Sequence, residues 1–276
     1  AAVNQASEEA QALSLRFDTT VDGPMQAFDP ANAPRLEFVD LSGSDEPEAE
    51  AKAPITKRMR TPVDLRNGPI AFQHLYRIGN GKHIWALQVH HLANDGFGIV
   101  MLTKRVADLY SAQVSGSGKA GKPFAPLAGL IAEDAEYRES ERHTQDAAWW
   151  QSAFRDPPES VGMAPGRAIS AHRFLRTASP MPEEARAAVA KLAKAAGVAW
   201  PDALTALVAA YCTRFVDGGE LVIGMPHMGR FGSKAARIPG MVMNVLPLAI
   251  APDDSTPLAE WIKSESADRK STRLNS

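Results

Sequence analysis

Ile70-Ala71-Phe72-Gln73-His74-Leu75-Tyr76-Arg77-Ile78-Gly79-Asn80-Gly81-Lys82-His83-Ile84-Trp85-Ala86-Leu87-Gln88-Val89-His90-His91-Leu92-Ala93-Asn94-Asp95-Gly96 contains two long segments, Ile70 to Ile78 and Lys82 to His90, on either side of Gly79-Asn80-Gly81. Glycine and asparagine accept positive φ, so the segments are expected to pair as a β-hairpin. The second strand is expected to end in His90-His91. Successive side chains on a strand point to opposite faces, so only one of these histidines would face a site and the other would be left for packing or hydrogen bonding. Gly96 permits a tight turn. From Gly96 to Tyr110 the apolar residues Ile99, Leu102, Val106 and Leu109 fall near helical spacing, which predicts a helix with one face on the sheet.

Outward from this stretch, Leu13 to Phe17 and Leu36 to Asp40 read as strands, preceded by a helix at the N-terminus, while the acidic Ser42 to Ala53 reads as solvated. Ser115 to Pro126 is a flexible link. Ile131 to Phe154 is expected as one helix with Trp149 and Trp150 as packing anchors near its end, and Pro157-Pro158 closes this half. A strand follows at His172 to Thr177, then a helix from Pro182 to Ala196 stopped by Gly197. Pro201-Asp202 opens a helix whose stripe of Leu204, Leu207, Val208, Tyr211 and Phe215 is expected in the core. Leu221 to Gly224 and Met241 to Ile250 read as strands, and a last helix begins at Pro257. Strands and helices in both halves make this a two-lobed α/β protein.

Of the 276 residues, 45% are hydrophobic and 22% charged, which supplies one large globular domain or two smaller ones. A formal net charge of -2 provides no general field for nucleic acid or an anionic membrane, and neither is expected as a partner. No apolar run approaches the roughly 20 residues that span a bilayer, and no export signal stands at the N-terminus, so a cytoplasmic location is expected. The single cysteine, Cys212, is expected as a small buried hydrophobe. His74, His83, His143, His172 and His227 show no metal-ligand spacing, and Gly79-Asn80-Gly81 lacks the length and following lysine of a phosphate loop. Neither a metal nor a bound cofactor is expected.

His90-His91-Leu92-Ala93-Asn94-Asp95-Gly96 matches the HHxxxDG pattern of the superfamily that holds condensation domains and chloramphenicol acetyltransferases. A histidine pair at a strand end is by itself more often structural than catalytic. Further segments recur in that family's order: Glu133-Asp134-Ala135-Glu136-Tyr137 with Trp149-Trp150, then Gly224-Met225-Pro226-His227-Met228-Gly229-Arg230, then Met241-Val242-Met243-Asn244-Val245-Leu246-Pro247-Leu248. Together they make the chain resemble a nonribosomal peptide synthetase condensation domain over nearly all of Ala1 to Ala267, and in particular those of siderophore synthetases of the enterobactin type. The resemblance implies two chloramphenicol acetyltransferase-like lobes forming a V around a central tunnel. Residues 1–160 would be the N-terminal lobe and 161–267 an incomplete C-terminal lobe. Donor and acceptor carrier proteins would deliver substrates on phosphopantetheine thioesters, with an adenylation domain adjacent in the parent chain, and the reaction would be amide-bond-forming acyl transfer.

By the same resemblance His91 is the catalytic residue, which positions the acceptor amine, takes its proton or stabilises the tetrahedral intermediate. His90, Asp95 and Gly96 support the motif; Asp95 holds the His loop through a charged partner and is not the acid of a triad. Asn244 would line the tunnel or bridge the lobes, unless it is a buried amide satisfied by backbone. Arg230 would steady a loop at the lobe interface, or else be an exposed arginine with no special duty. Two positions depart from the family: Glu9 stands where an arginine partner for Asp95 is common, with Arg16 nearby, and Gly98 stands where a serine is common. Other readings stay open, namely a stand-alone coenzyme A-dependent acyltransferase, an epimerisation domain or a noncatalytic carrier-docking module. Both ends read as cut, the first lacking an initiator Met. Asp268 to Ser276 resembles the translation of a sequencing-library adapter and is expected to be a scar.

Overall fold

A computed structural model describes residues 1–156, 177–215, 221–251, 253 and 255–274. The expected strand at His172 to Thr177 lies, all but Thr177, outside the described residues, as does Pro157-Pro158. The chain forms two compact units, Ala1–Arg138 with Met228–Met243 and Glu139–His227 with Asn244–Ser276. The units are therefore not contiguous in sequence, whereas the linear reading divides the chain near residue 160.

In the first unit α1 (Ala2–Glu9) leads through a 3-10 turn into β1 (Leu15–Thr20), which pairs with β2 (Gly23–Phe28). The strand expected from Leu13 starts later because Ala12, Leu13 and Ser14 are all buried, a consecutive run that an alternating strand cannot present to one core. β3 (Leu36–Asp40) is followed by α2 (Pro47–Arg60), so the acidic stretch, solvated as expected apart from the buried Ala51, runs into a helix. Pro47 stands at its first turn with Glu48 and Glu50, and Lys57, Arg58 and Arg60 end it, in the order that suits the helix dipole. The apolar contact on which α2 settles is Ala51 with Tyr76 and Ala86.

β4 (Ala71–Gly79) and β5 (Lys82–Val89) form the expected antiparallel hairpin, and β3 joins β4 in parallel to give the order β3-β4-β5. Gly79, Asn80 and Gly81 have φ of 91°, 52° and 71°, the positive values for which these residue types are suited. Helix α3 (Gly96–Ser115) ends at Gly116 in the left-handed region. It buries Leu102, Val106 and Leu109 against Ala2, Ala6, Ala10 and Leu13, the alanines of α1 allowing close approach.

The helix expected over Ile131 to Phe154 is two helices, α4 (Ala128–Arg138) and α5 (Glu141–Ala153). Ser140 breaks them apart by capping α5, its Oγ accepting the His143 N–H at 3.2 Å. In the second unit Trp149 and Trp150 meet edge to face, with Phe154 stacked on Trp150. There α6 (Glu183–Ala196), α7 (Trp200–Cys212) and α8 (Leu258–Leu274) pack beside the antiparallel pair β6 (Leu221–His227) and β7 (Asn244–Ile250).

The core stripe expected on α7 is corrected. Ala203, Ala206 and Ala209 fill the core, with Leu207 packed against it and Leu204 half-buried, while Val208, Tyr211 and Phe215 are exposed, because the small residues let α6 and α8 come close. Cys212 is half-buried and not enclosed. Among the described residues no single helix is long and apolar enough to cross a membrane; the bent pair Glu183–Ala196 and Trp200–Phe215 passes only when joined across a 105° break.

Candidate active site

β5 ends at Val89, so neither histidine lies on the strand that was expected to end in His90-His91. His90 keeps the last ladder bond, its N–H donating to the Ile70 carbonyl at 2.8 Å. The Ala93 N–H then closes a turn onto the His90 carbonyl at 3.0 Å. Strand alternation therefore does not separate the two imidazoles; the turn does. His90 is half-buried and its Nδ1 accepts the Leu92 N–H at 3.2 Å. His91 sits at the head of the turn with its side chain exposed. Ala93 anchors the turn, fully buried among Ala12, Leu15 and Ile70.

Asp95 is the N-cap of α3, its Oδ1 accepting the Gly98 N–H at 2.8 Å. Its Oδ2 accepts the N–H groups of Val242 and Met243, both at 3.0 Å. Arg230 Nη2 lies 2.9 Å from each carboxylate oxygen, and both side chains are 2% exposed. Three carbonyls take the other terminal N–H groups: Nη1 donates to Ala235 at 2.6 Å and Ile238 at 2.8 Å, and Nη2 to Gly240 at 2.8 Å, while Nε is buried without a partner among the described residues. Phe97 stands beside it, with the guanidinium carbon 5.3 Å from the ring centre. Burial pushes the Asp95 carboxyl up, but the amides of Gly98, Val242 and Met243 and the Arg230 guanidinium outweigh it and hold the group below the ordinary carboxylate range.

This network explains a strand boundary as well. The expected strand from Met241 begins instead at Asn244, because the amides of Val242 and Met243 are spent on Asp95. It also supplies the partner that the sequence left open for Asp95. Glu9 pairs with Arg105, whose Nε and Nη2 donate at 2.6 and 2.7 Å, and Arg16 pairs with Asp29 at 2.7 Å. Neither serves Asp95. Arg230 was singled out by its segment but not as this partner, since the two residues are far apart in sequence and no local pattern joins them. It is a buried arginine, not an exposed one without duty. Gly96, which opens α3, is exposed and has no steric neighbour.

Asn244 belongs to the second unit, at the first position of β7 opposite His227. It is exposed, and its Oδ1 accepts the Val245 N–H at 2.8 Å, so it is not the buried amide that was the alternative. Among the described residues no group of three or more His, Cys, Asp or Glu side chains converges to hold a metal ion.

An exposed imidazole on a rigid turn can accept or donate a proton or hydrogen-bond a reacting group. Asp95 is saturated and, among the described residues, makes no hydrogen bond to either histidine, so it holds the turn and does not polarise an imidazole.

Comparison with known proteins gives one consistent result. The family described as Condensation domain matches residues 1–275. The chain is 32% identical over 272 residues to the dimodular nonribosomal peptide synthase of Bacillus subtilis (strain 168), covering 99% of this chain and 11% of that protein. It is 31% identical over 268 residues to enterobactin synthase component F of Escherichia coli O157:H7, covering 92% of this chain and 20% of that protein. Among solved structures, the first condensation domain of the calcium-dependent antibiotic synthetase, in complex with a substrate analogue, is similar with a TM-score of 0.80 and 29% identity. That match covers 99% of this chain and 65% of the solved one. The chain thus spans a small part of these curated relatives and just under two thirds of the solved domain.

Proposed function

This chain belongs to the condensation-domain family, and from that premise we propose that it serves amide-bond formation between carrier-bound thioester substrates in nonribosomal peptide biosynthesis. The observation that carries the reading is the exposed His91 on a turn pinned by the buried Asp95–Arg230 pair. In the reaction the acceptor amine nitrogen attacks the thioester carbonyl carbon and a C–N bond forms. The tetrahedral oxyanion collapses, the C–S bond breaks, and the sulfur leaves as a thiol with the proton that the amine gives up. His91 is the catalytic residue, oriented to hold the amine, to carry that proton or to stabilise the intermediate. A free α-amine has a pKa of about 7.7–8, so a strong base is unnecessary and a moderate imidazole suffices. Two carriers bearing phosphopantetheine arms would bring the reactants, and an adjacent adenylation domain would select one of them. The likeness to enterobactin synthase component F supports a siderophore product. Residues 1–160 and 161–267 would contribute the two lobes, with Asn244 facing the substrates.

His91→Ala tests the reading. Turnover of a loaded donor and acceptor carrier pair should fall about 100-fold to 10,000-fold while the melting temperature stays within a few degrees. A wild-type rate for this variant removes His91 from the mechanism. Equal rates with a free acyl-coenzyme A donor in place of the donor carrier would point to a stand-alone acyltransferase.

A further inference from the structure

Gly98 lies in the first turn of α3, buried and with φ outside the left-handed region, so its backbone does not demand glycine. The demand is steric. A Cβ built there would sit 1.7 Å from Asn94 Oδ1, 2.8 Å from Asn94 Cγ and 3.2 Å from the Gly240 nitrogen. The Asn94 amide therefore fills the volume that a side chain at position 98 would occupy.

Asn94 is 4% exposed. Its Oδ1 accepts the Asp95 N–H at 3.1 Å, the same N–H that faces the Gly240 carbonyl at 3.3 Å. Its Nδ2 is buried without a partner. A half-satisfied buried amide is unfavourable, and so is a glycine inside a helix. Two local costs that meet at one point, directly between the His turn and the Asp95 carboxylate, mark a position held for more than packing.

We propose that Asn94 is a positioning residue for the His90-His91 turn, that Gly98 is the socket it requires, and that the two act as one unit. Asn94 is the wedge between the first turn of α3 and the Gly240 backbone. With the wedge in place, Asp95 reaches Gly98, Val242, Met243 and Arg230 from one carboxylate, and the turn that carries His91 keeps one orientation. The catalytic part of this inference rests on the amide-bond reading above; the steric part does not.

The test is a cycle of Gly98→Ala, Asn94→Ala and the double variant in the intact protein, read by melting temperature and by steady-state kinetics with loaded carriers. Gly98→Ala should lower the melting temperature by about 3–10 °C and, well below melting, lower kcat about 10–100-fold with KM little changed. Asn94→Ala alone should lower kcat with KM little changed; because it removes the obstructing Oδ1 and Cγ, the double variant should melt above Gly98→Ala and its kcat should recover to the level of Asn94→Ala and no further. If Gly98→Ala does not fold, folding of the double variant is the expected rescue, and failure of both overturns the proposal. Losses that simply add in the double variant also overturn it. A Gly98→Ala protein that is destabilised yet keeps the wild-type kcat refutes the positioning role. Should the wild type join no substrate pair at all, the amide-bond reading fails, while the melting cycle still decides whether Asn94 and Gly98 are coupled.

Discussion

At the start of α3 Asp95 meets Arg230, and further along the same helix Arg105 meets Glu9. Both pairs lie in the first unit and both are largely buried, yet they are built differently. Arg105 and Glu9 form a fork, two nitrogens on two oxygens, that ties α3 to α1, with a further Arg105 bond to the Ala120 carbonyl. Most of what each side chain needs is supplied by the other. Arg230 instead gives only Nη2 to Asp95, and its two terminal nitrogens also serve the carbonyls of Ala235, Ile238 and Gly240. Asp95 in turn takes three backbone amides, from Gly98, Val242 and Met243. One pair joins two helices; the other is the hub on which a loop distant in sequence and a helix N-terminus are assembled. An ion pair's meaning is thus set by how much backbone depends on it.

The largest expected effect is that of Arg230→Met, which leaves a buried carboxylate without its cation and strands three carbonyls. A loss of about 3–5 kcal/mol in denaturant titration is expected, with turnover abolished even where the protein remains folded. A loss under 1 kcal/mol would remove the hub role. Next in size is the contrast between double replacements. Glu9→Leu with Arg105→Met removes a pair on which little backbone depends, the Ala120 carbonyl and the Phe124 amide, and should end within about 1–2 kcal/mol of wild type. Asp95→Leu with Arg230→Met should stay severely destabilised because the orphaned amides and carbonyls remain. Equal outcomes for the two doubles would dissolve the distinction.

Acid sharpens it further. For Glu9 burial raises the pKa, but the hydrogen bond and charge of Arg105 outweigh burial and hold the group low, as the amides and Arg230 do for Asp95. A depressed folded value means that the stabilisation is complete above the unfolded value of about 4 and is lost as pH falls through the folded value. Melting temperature should therefore drop below about pH 4, and Asp95→Asn should flatten that limb. An unchanged acid slope in Asp95→Asn would show that the carboxylate is not the group protonating. The smallest effect belongs to Lys104, paired with Asp108 at 2.7 Å on the exposed side of α3. Lys104→Ala should cost no more than about 0.5 kcal/mol, which calibrates the buried pairs against a solvated one.

The turn chemistry of Gly79-Asn80-Gly81 and the helical spacing after Gly96 made the hairpin and α3 legible, since both depend on residues close in the chain. The family was legible for a related reason: its motif compresses a turn, a cap and a helix start into His90 to Gly96. Local rules failed where burial overrode pattern. On α7 the alanines fill the core with Leu207 packed at its edge, while Val208, Tyr211 and Phe215 stay exposed, and Ser140 divided a helix whose composition ran on.

What the sequence alone determined, then, was the local frame of the site and its chemical inventory: a histidine pair at the end of a hairpin, an aspartate before a helix, an arginine in a later segment. Only the tertiary structure decided that this arginine is the aspartate's partner, that Glu9 is taken by Arg105, and that Asn94 occupies the space above Gly98. The physical reason is separation along the chain. Hairpins and caps are governed by φ, ψ and hydrogen bonds over a few residues, whereas a buried charge finds its partner through packing that brings remote segments together, and no short stretch of sequence records which one arrives.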